Sequence, residues 1–265
     1  MKKYRVAVVG ATGMVGRTFL KVLEERDFPI SELFLFASKR SAGQKLTFKG
    51  QEYTVEELTE NSFDRGIDIA LFSAGASTSL KYAPIAAEKG CTVVDNSSAW
   101  RMDPSVPLVV PEVNPEDIKW NKGIIANPNC STIQAVVVLK PLHDKYHIKR
   151  IVYSTYQAVS GAGMEGYRDL ENGLAGQPPK KFPYPIAGNL LPHIDVFTEN
   201  GYTKEELKMI NETRKILHDQ NLRITATTVR VPVFNSHSES INVEFEKPFD
   251  LEDLKNTLKE APGII

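Results

Sequence analysis

The chain has few cysteines, no long apolar run and almost no net charge. Its 265 residues include only two cysteines, a count that excludes a disulfide-stapled secreted scaffold and predicts a reducing, cytoplasmic compartment. No segment approaches the roughly 20 consecutive apolar residues that a membrane helix needs. The net charge of −1 gives no basis for binding nucleic acid or an anionic membrane, so a small anionic ligand would require a local cluster of cations.

Strand-like and helix-like segments alternate in the first half of the chain. Residues 4–9 are apolar and β-branched, as in a buried parallel strand, and the next segment places its apolar residues on one helical face. This alternation predicts an α/β fold with a parallel sheet and crossover helices, the Rossmann-type dinucleotide-binding architecture. We predict strands at residues 4–9, 33–37, 67–72, 92–94 and 123–126, and helices at residues 14–25 and 77–88.

The second half has longer strands and predicts an α+β domain on a mostly open sheet. One helix is expected to end near Pro141, and another to begin near Thr203, which forms a capping box with Glu206. The proline-rich residues 177–192 include several apolar side chains and are expected to form an ordered loop. We place the domains at residues 1–128 and 129–265, with helices in the second at 132–142, from 203, and at 250–259, and strands at 150–158, 222–233 and 238–245.

A glycine-rich turn follows the first predicted strand and opens the first predicted helix. Gly10, Gly13 and Gly16 form a variant of the dinucleotide-binding fingerprint. Glycine lets the backbone approach a pyrophosphate, and the helix N-terminus offers N–H groups and a favourable dipole. The turn therefore predicts a dinucleotide site, the alternative being a tight turn without a ligand.

The end of the second strand carries cations where an NAD site usually carries a carboxylate. Two cations and two hydroxyls suit the 2′-phosphate of NADP, and the alternative is a solvated basic loop. The residues concerned are Ser38, Lys39, Arg40 and Ser41.

Cys130 lies in a polar turn, residues 127–132, between a predicted strand and a predicted helix. Helix N-termini stabilise thiolates, so we interpret Cys130 as a nucleophile; the alternative, a small buried residue, suits Cys91. Backbone N–H groups at the helix start are the expected donors to an oxyanion. Among five histidines, His237 is the best acid/base candidate, since it lies in a polar turn between two strands. Together, the glycine turn and Cys130 predict an enzyme that transfers a hydride to or from a carbon held on sulfur.

These motifs resemble those of the bacterial aspartate-semialdehyde dehydrogenase family over nearly the whole chain. The stretch Gln-Ala-Val-Ser-Gly-Ala-Gly at residues 157–163 is close to diagnostic of that family. The other matching segments are residues 10–16, 38–43, 95–101, 128–132, 155–156, 205–208 and 230–239.

The resemblance implies a reaction, a cofactor and an assembly. The reaction is reductive dephosphorylation of L-aspartyl 4-phosphate to L-aspartate 4-semialdehyde, which consumes NADPH, releases phosphate and serves lysine, threonine, methionine and isoleucine biosynthesis. The second domain is then a catalytic and dimerisation domain that forms a homodimer. No metal is expected.

The resemblance also implies residue roles. Cys130 is the nucleophile, His237 the acid/base and Gln157 the residue that orients the substrate. Substrate binding is assigned to Arg230 for the carboxylate, Glu205 for the α-amino group, and Arg101, Asn129 and Lys208 for the phosphate. Cofactor binding is assigned to Gly10, Thr12, Gly13, Met14, Val15, Ser38, Lys39, Arg40, Ser41, Ser73 and Gly161.

These roles fit the chemistry of the side chains. An acyl phosphate needs cations at its leaving group, and an arginine fork suits a planar carboxylate. Glu205 and Lys208 are three residues apart on a predicted helix and share a face. Without the resemblance, those two residues and Arg101 would be interpreted as surface ion pairs, and Gln157 as a polar position on an edge strand.

Two departures from the family pattern and three alternatives accompany this interpretation. Residues 163–192 are shorter than in many relatives, and the family continues past residue 265, so we expect a C-terminal truncation. N-acetyl-γ-glutamyl-phosphate reductase typically has glycine before its cysteine and an aromatic residue after it, where this chain has Asn129 and Ser131. Glyceraldehyde-3-phosphate dehydrogenase usually has an acidic end to its second strand. A non-catalytic NADP-binding protein would not need Cys130, Gln157, Arg230 and His237 together.

Overall fold

A computed structural model describes residues 2–265 of the chain. These residues divide into two compact units. The first comprises the residues up to Val109 together with Glu116–Pro128, and the second comprises Val110–Pro115 and Asn129–Ile265. Within the described residues, no helix has the length and apolar character needed to cross a membrane.

The described residues of the first unit form an α/β unit with two α-helices and eight strands, besides short 3-10 helices. In chain order they are β1 (Tyr4–Val9), α1 (Met14–Glu25), β2 (Ile30–Ala37), β3 (Lys45–Phe48), β4 (Gln51–Thr54), β5 (Glu56–Glu57), β6 (Ile69–Phe72), α2 (Ala76–Glu88), β7 (Thr92–Asp95) and β8 (Ile124–Ala126). The main sheet is parallel throughout, in the order β5-β2-β1-β6-β7-β8. The order changes direction beside β1, and the crevice at such a point is where ligands bind in open α/β sheets. The glycine turn leaves β1 at this position.

Burial explains why β1 occupies the middle of the sheet. Val6, Ala7, Val8 and Val9 are at most 1% exposed, because strands and helices cover both faces of a central parallel strand. The predicted bounds of β1 and α1 are confirmed. The hairpin of β3 and β4 and the two-residue β5 were not predicted from the sequence, because these strands are short and carry charged residues.

The second unit is an α+β unit with a small mixed sheet. Its elements are α3 (Cys130–Tyr146), β9 (Ile148–Gln157), α4 (Gly163–Leu174), α5 (Lys204–Ile216), β10 (Arg223–Arg230), β11 (Ser238–Phe245) and α6 (Leu251–Glu260). The sheet order is β10-β9-β11, with β10 parallel and β11 antiparallel to β9. The predicted capping box at the start of α5 is confirmed, since the Thr203 hydroxyl accepts from the Glu206 N–H and the Glu206 carboxylate accepts from the Thr203 N–H.

The expected end of a helix near Pro141 is wrong. Helix α3 continues through Pro141 to Tyr146, even though an internal proline costs about 3 kcal/mol. Its buried face also continues, with Leu139, Leu142 and Tyr146 at most 6% exposed. Burial of side chains of this size is worth about 1.5–3 kcal/mol each, so tertiary packing outweighs the proline. Strand β10 likewise ends before its predicted bound, at Arg230.

The proline-rich residues 177–192 form an ordered loop, as predicted. The buried carboxylate of Asp169 on α4 accepts hydrogen bonds from the backbone N–H groups of Lys180, Lys181 and Phe182. Ile186 and Leu191 are buried against α4 in a small apolar cluster. The loop is therefore fixed by one carboxylate at its start and by apolar packing towards its end.

Candidate active site

The turn that carries Cys130 is closed by hydrogen bonds within the second unit. Asn129 is the N-cap of α3, and its side-chain oxygen accepts from the N–H groups of Ser131 and Thr132, at 3.0 and 3.4 Å. Its side-chain Nδ2 donates to Glu205 at 2.9 Å, and its backbone N–H donates to Glu212 at 2.6 Å. The turn is thus fixed by its own cap and by two carboxylates of α5.

This cap occupies two of the backbone N–H groups that were expected to donate to an oxyanion. Two of the N–H groups at the start of α3, those of Ser131 and Thr132, donate to Asn129 and are therefore occupied. The Asn129 side chain is 6% exposed, and both its oxygen and its nitrogen are hydrogen-bonded to other residues of the chain.

Cys130 presents an exposed thiol to a histidine. Its Sγ lies 3.2 Å from Nε2 of His237, the histidine selected in the sequence. Nδ1 of the same ring accepts a hydrogen bond from the backbone N–H of Ala158 at 2.9 Å. Burial lowers the pKa of His237, the charge of Arg230 lowers it further, and Glu205 opposes both. Cys91 contrasts with this thiol, because it is buried and burial raises its pKa to about 12.

Arg230 lies at the end of β10, beside the histidine. It is 6% exposed, and its Nη1 donates to the backbone oxygen of Ala158 at 2.7 Å. Its Nε is buried and has no hydrogen-bond partner among residues 2–265. Burial lowers the pKa of this guanidinium, while Glu205 and Cys130 oppose the shift, and arginine stays a cation in proteins. A buried donor of this kind suits an anionic ligand.

Helix α5 contributes a second charged cluster. The Nζ atom of Lys208 lies 3.0 Å from the Glu205 carboxylate, so the predicted shared face is confirmed, and 2.9 Å from the Asp195 carboxylate. Burial acts to lower the pKa of Lys208, but the two carboxylates outweigh it and the net shift is upward. Asp195 was not predicted from the sequence, because nothing in a loop aspartate indicates a partner 13 residues away.

Two further polar residues occupy the inner face of the mixed sheet. Gln157 ends β9 beside Arg230, is 1% exposed, and donates from its side chain to Thr155 at 3.2 Å. Glu239, two residues beyond His237, accepts from Gln134 of α3 at 2.8 Å, and its second oxygen is buried without a partner in the described residues. Burial raises the pKa of Glu239 from 4.5 to about 7 despite that hydrogen bond. Neither Glu239 nor Gln134 was predicted, since both are ordinary residues for a strand and a helix.

The first unit holds a cavity of about 470 Å³ at the glycine turn. It is lined by most of the predicted cofactor residues of this unit: Gly10, Thr12, Gly13, Ser38, Lys39, Arg40, Ser41 and Ser73. Met14 and Val15 begin α1 and are not among the lining residues. Glu57, Thr78 and Tyr82 line it too and were not predicted, because β5 and the face of α2 could not be positioned from sequence.

Glycine is required at two positions of this turn. Gly10 has a φ of +87°, and a Cβ there would lie 2.3 Å from the backbone oxygen of Ser73. A Cβ on Gly16 would lie 2.2 Å from the backbone oxygen of Gly10. The backbone is therefore packed closely around the cavity, as a dinucleotide-binding turn requires.

Two predicted site residues do not belong to the unit that contains most of the residues predicted for the same role. Arg101 belongs to the first unit, where its buried guanidinium donates to the backbone oxygens of Asn127 and Asn96. Gly161, predicted for the cofactor, belongs to the second unit, and a Cβ there would lie 2.9 Å from Nη1 of Arg230 and 3.6 Å from the His237 ring. Gly161 therefore lets its segment approach both side chains.

An α/β unit with a glycine turn, together with a thiol paired with histidine, is the arrangement expected of a semialdehyde dehydrogenase. A family model described as semialdehyde dehydrogenase, NAD binding domain, matches residues 5–121. A second, described as semialdehyde dehydrogenase, dimerisation domain, matches residues 139–265.

Individual relatives narrow this class. The aspartate-semialdehyde dehydrogenase of Aquifex aeolicus is 65% identical over 99% of this chain and 80% of its own length. The structure of aspartate semialdehyde dehydrogenase II from Vibrio cholerae complexed with ASA is 49% identical, with a TM-score of 0.96 over all of this chain and 81% of that one. The enzyme from Candida albicans with NADP is 28% identical, with a TM-score of 0.77 over 98% of this chain and 76% of that one.

The chain belongs to the aspartate-semialdehyde dehydrogenase family. It spans about four fifths of the length of the Aquifex and Vibrio relatives. The matches favour neither N-acetyl-γ-glutamyl-phosphate reductase nor a non-catalytic protein, and the predicted fold class is confirmed. The chain is thus an enzyme of this type with a nucleotide-binding domain.

Proposed function

We propose that this chain reduces L-aspartyl 4-phosphate to L-aspartate 4-semialdehyde with NADPH and releases phosphate. The observation that carries the proposal is the 3.2 Å contact of Cys130 Sγ with His237 Nε2, beside a buried Arg230 whose Nε lacks a partner in the described residues. A thiol, an imidazole and an unsatisfied guanidinium are the groups that a covalent reaction on a carboxylate-bearing substrate needs. Residues 1–128 would bind the nucleotide, and residues 129–265 would carry the nucleophile and most of the substrate-binding residues.

The cofactor is assigned to the cavity of the first unit. The close approaches at Gly10 and Gly16 fit a pyrophosphate at the start of α1. Lys39, Arg40 and the hydroxyls of Ser38 and Ser41 line the same cavity and suit a 2′-phosphate. When bound, the cofactor would supply a hydride to the acyl carbon of a thioester.

The chain's own residues would perform the covalent chemistry. The Cys130 thiolate attacks the acyl carbon, a C–S bond forms and the bond to the phosphate oxygen breaks. After reduction, the thiohemiacetal oxyanion collapses and Cys130 leaves as a thiolate. His237 lies beside the sulfur and would stabilise first the thiolate and then the oxyanion. Covalent catalysis of this kind divides one difficult displacement into two easier steps.

Substrate recognition would rest on the charged groups of the site. Arg230 would bind the α-carboxylate through its buried Nε, and Glu205 the α-amino group. Lys208 and Arg101 would bind the phosphate, and Gln157 would orient the acyl group. For Asn129 we propose a positioning role in place of a phosphate contact, because its side chain already caps α3 and donates to Glu205.

We also propose a homodimer in the cytoplasm. On β11, exposed residues alternate with half-buried ones, and Tyr156 on β9 is 47% exposed, so one face of the mixed sheet is open in this chain. A second copy covering that face would bury Tyr156. Both cysteines are free, which suits a reducing compartment. Sedimentation at increasing protein concentration would test the dimer, and a monomer at all concentrations would contradict it.

The activity is best tested in reverse, by following NADP reduction with L-aspartate 4-semialdehyde and phosphate. Turnover that needs phosphate is expected from the unmodified chain and should fall at least about 1000-fold in Cys130→Ala. Cys91→Ala is the matched control, since it removes the buried thiol of the other unit. Turnover that survives in Cys130→Ala, or that is absent while NADP binds, would refute the proposal.

A further inference from the structure

The backbone N–H of Ala158 restricts the protonation of His237. Nδ1 of the ring lies 2.9 Å from that nitrogen, and an amide nitrogen is only a donor, so Nδ1 must be the acceptor. A neutral imidazole carries a single ring proton, which must therefore be on Nε2. Nε2 is the atom that faces Cys130 Sγ at 3.2 Å, so the ring presents a donor to the sulfur.

The surroundings of Ala158 favour the hydrogen bond from its N–H to Nδ1 of His237. Ala158 is fully buried, so its N–H is shielded from water in this structure and has the His237 ring as its hydrogen-bond acceptor. The carbonyl of the same residue accepts from Nη1 of Arg230 at 2.7 Å. One peptide segment therefore fixes both the histidine and the arginine.

The charged groups around the ring also favour the neutral form. Burial lowers the pKa of His237 most, the positive charge of Arg230 lowers it further, and Glu205 acts in the opposite sense. Cys130 is the ionisable group in direct contact with the ring, and as a thiolate it would act in the same sense as Glu205. An imidazolium would additionally need a proton on Nδ1, directed at the N–H of Ala158.

We infer that the Ala158 N–H makes His237 a hydrogen-bond donor to the Cys130 thiolate, not the base that removes the thiol proton. This inference rests on the proposed role of Cys130 as nucleophile. The thiol proton then goes to solvent, which the exposed position of Cys130 permits, before the acyl phosphate binds. The phosphate takes its proton from solvent as it leaves. The same Nε2–H next donates to the thiohemiacetal oxyanion, so Nδ1 never needs a proton.

The direct test is nitrogen NMR of the unmodified, unliganded chain labelled with ¹⁵N-histidine, between pH 6 and pH 8. For His237 we expect a directly bonded proton on Nε2 at every pH in this range, and none on Nδ1 at pH 7 and above. A proton on Nδ1 near pH 7, alone or together with one on Nε2, would overturn the inference. This readout needs no turnover, so it separates failure of the inference from failure of the proposed function.

A proline at position 158 removes the N–H selectively. Ala158 has a φ of −64°, which proline adopts, and the preceding Gln157 ends a strand, a conformation that proline tolerates in its neighbour. Ala158→Pro should raise the pKa of His237 by about one unit, because Nδ1 is freed to take a proton. Alkylation of Cys130 by iodoacetamide should then persist to lower pH, since an imidazolium stabilises the thiolate.

Ala158→Gly is the matched variant, because it also changes the side chain but keeps the N–H. Its His237 pKa and its alkylation profile should follow those of the unmodified chain. Identical profiles for the proline and glycine variants would overturn the inference. If Ala158→Pro fails to fold, the NMR measurement on the unmodified chain decides alone.

Discussion

The glycine turn before α1 and the cysteine turn before α3 both lead from a strand into a helix. They use the N-terminus of that helix in opposite ways. At the glycine turn, α1 begins with Gly13 as N-cap, and no side chain in the described residues caps it. At the cysteine turn, α3 begins with Asn129, whose side chain takes two N–H groups. The first turn leaves its helix end open to an anionic ligand, whereas the second uses its helix end to hold one of its own side chains.

The environments of the two turns differ in the same sense. The glycine turn lines a cavity together with exposed Lys39 and Arg40, and small residues keep the backbone accessible. The cysteine turn is tied to Glu205 and Glu212, buried carboxylates of α5. A site for a diffusible ligand thus depends on free space, and a site for a fixed nucleophile depends on satisfied polar contacts.

The largest effect on stability and NADP affinity is expected from adding a side chain at the glycine turn. In Gly16→Ala the new Cβ would meet the Gly10 backbone oxygen at 2.2 Å, and backbone cannot move aside as a flexible side chain can. Alanine is the better helix former by about 1 kcal/mol, but overpacking of this kind costs about 3 kcal/mol. We expect lower stability and a loss of NADP affinity on the order of 100-fold, measured by thermal unfolding and nucleotide titration.

Gly13→Ala provides the matched control within the same turn. Gly13 has a φ of −73°, and its Cβ would meet only the Gly10 oxygen, at 3.3 Å. Its stability should change by less than about 1 kcal/mol. Equal NADP affinity in Gly16→Ala and the unmodified chain would show that close backbone approach is not what forms this site.

The next largest effect is expected from removing the helix cap of the cysteine turn. Asn129→Ala removes a helix cap, worth about 1 kcal/mol, and removes the amide that donates to the buried Glu205. We expect a loss of about 2 kcal/mol in unfolding free energy and slower alkylation of Cys130, with unchanged NADP affinity. Chemical denaturation and iodoacetamide kinetics would measure the two effects.

A cap elsewhere in the unit isolates the contribution of burial. Asp250 caps α6 by accepting from the N–H groups of Glu252 and Asp253, and it is exposed. Asp250→Ala should therefore lose about 1 kcal/mol and leave Cys130 alkylation unchanged. The comparison between the turns fails if Asn129→Ala costs no more than this exposed cap.

A smaller effect, confined to NADP binding at the cavity of the glycine turn, is expected for Arg40→Ala. Removing one charge-assisted contact to the 2′-phosphate should weaken NADP binding about tenfold and leave NAD binding unchanged. Lys45→Ala is the control, because Lys45 is an exposed cation that pairs with Glu52 and does not line the cavity. Equal losses for NADP and NAD would show that Arg40 does not contact the 2′-phosphate.

The fold was largely predictable because its signals are local. The bounds of β1, α1 and β11 follow from apolar periodicity and turn residues, and Thr203 with Glu206 predicts the start of α5. The passage of α3 through Pro141 was not predictable, since the packing that outweighs the proline comes from distant parts of the chain.

The site was predictable in its chemistry and much less so in its support. Cys130 and His237 stand out because each lies in a polar turn, and the structure brings them within 3.2 Å. Glu212, Asp195 and Glu239 do not stand out, because their partners lie far away in the sequence. Residues that position a functional side chain through long-range contacts therefore show no local sequence pattern. Functional residues that lie in a turn often do, because the turn itself has a recognisable sequence.

The smallest effect is expected at Glu239, a half-buried residue of β11 whose second carboxylate oxygen is buried and lacks a partner in the described residues. Burial raises the pKa of this carboxyl from 4.5 to about 7, so the folded chain binds more protons than the unfolded chain between these values. Stability therefore falls as the pH rises from 4.5 to 7. Glu239→Gln keeps an acceptor for Gln134 but cannot ionise, so it should avoid this loss.

The variant's advantage should therefore grow through that pH window. Allowing for partial exposure, we expect it to gain about 1 kcal/mol over the unmodified chain between pH 4.5 and pH 7, and then to remain constant. Thermal unfolding of both proteins at several pH values measures the difference. Glu260→Gln, an exposed carboxyl at the end of α6, should show no such dependence. A stability difference between Glu239→Gln and the unmodified chain that does not change with pH would contradict this prediction. The carboxyl would then ionise as readily in the folded chain as in the unfolded one.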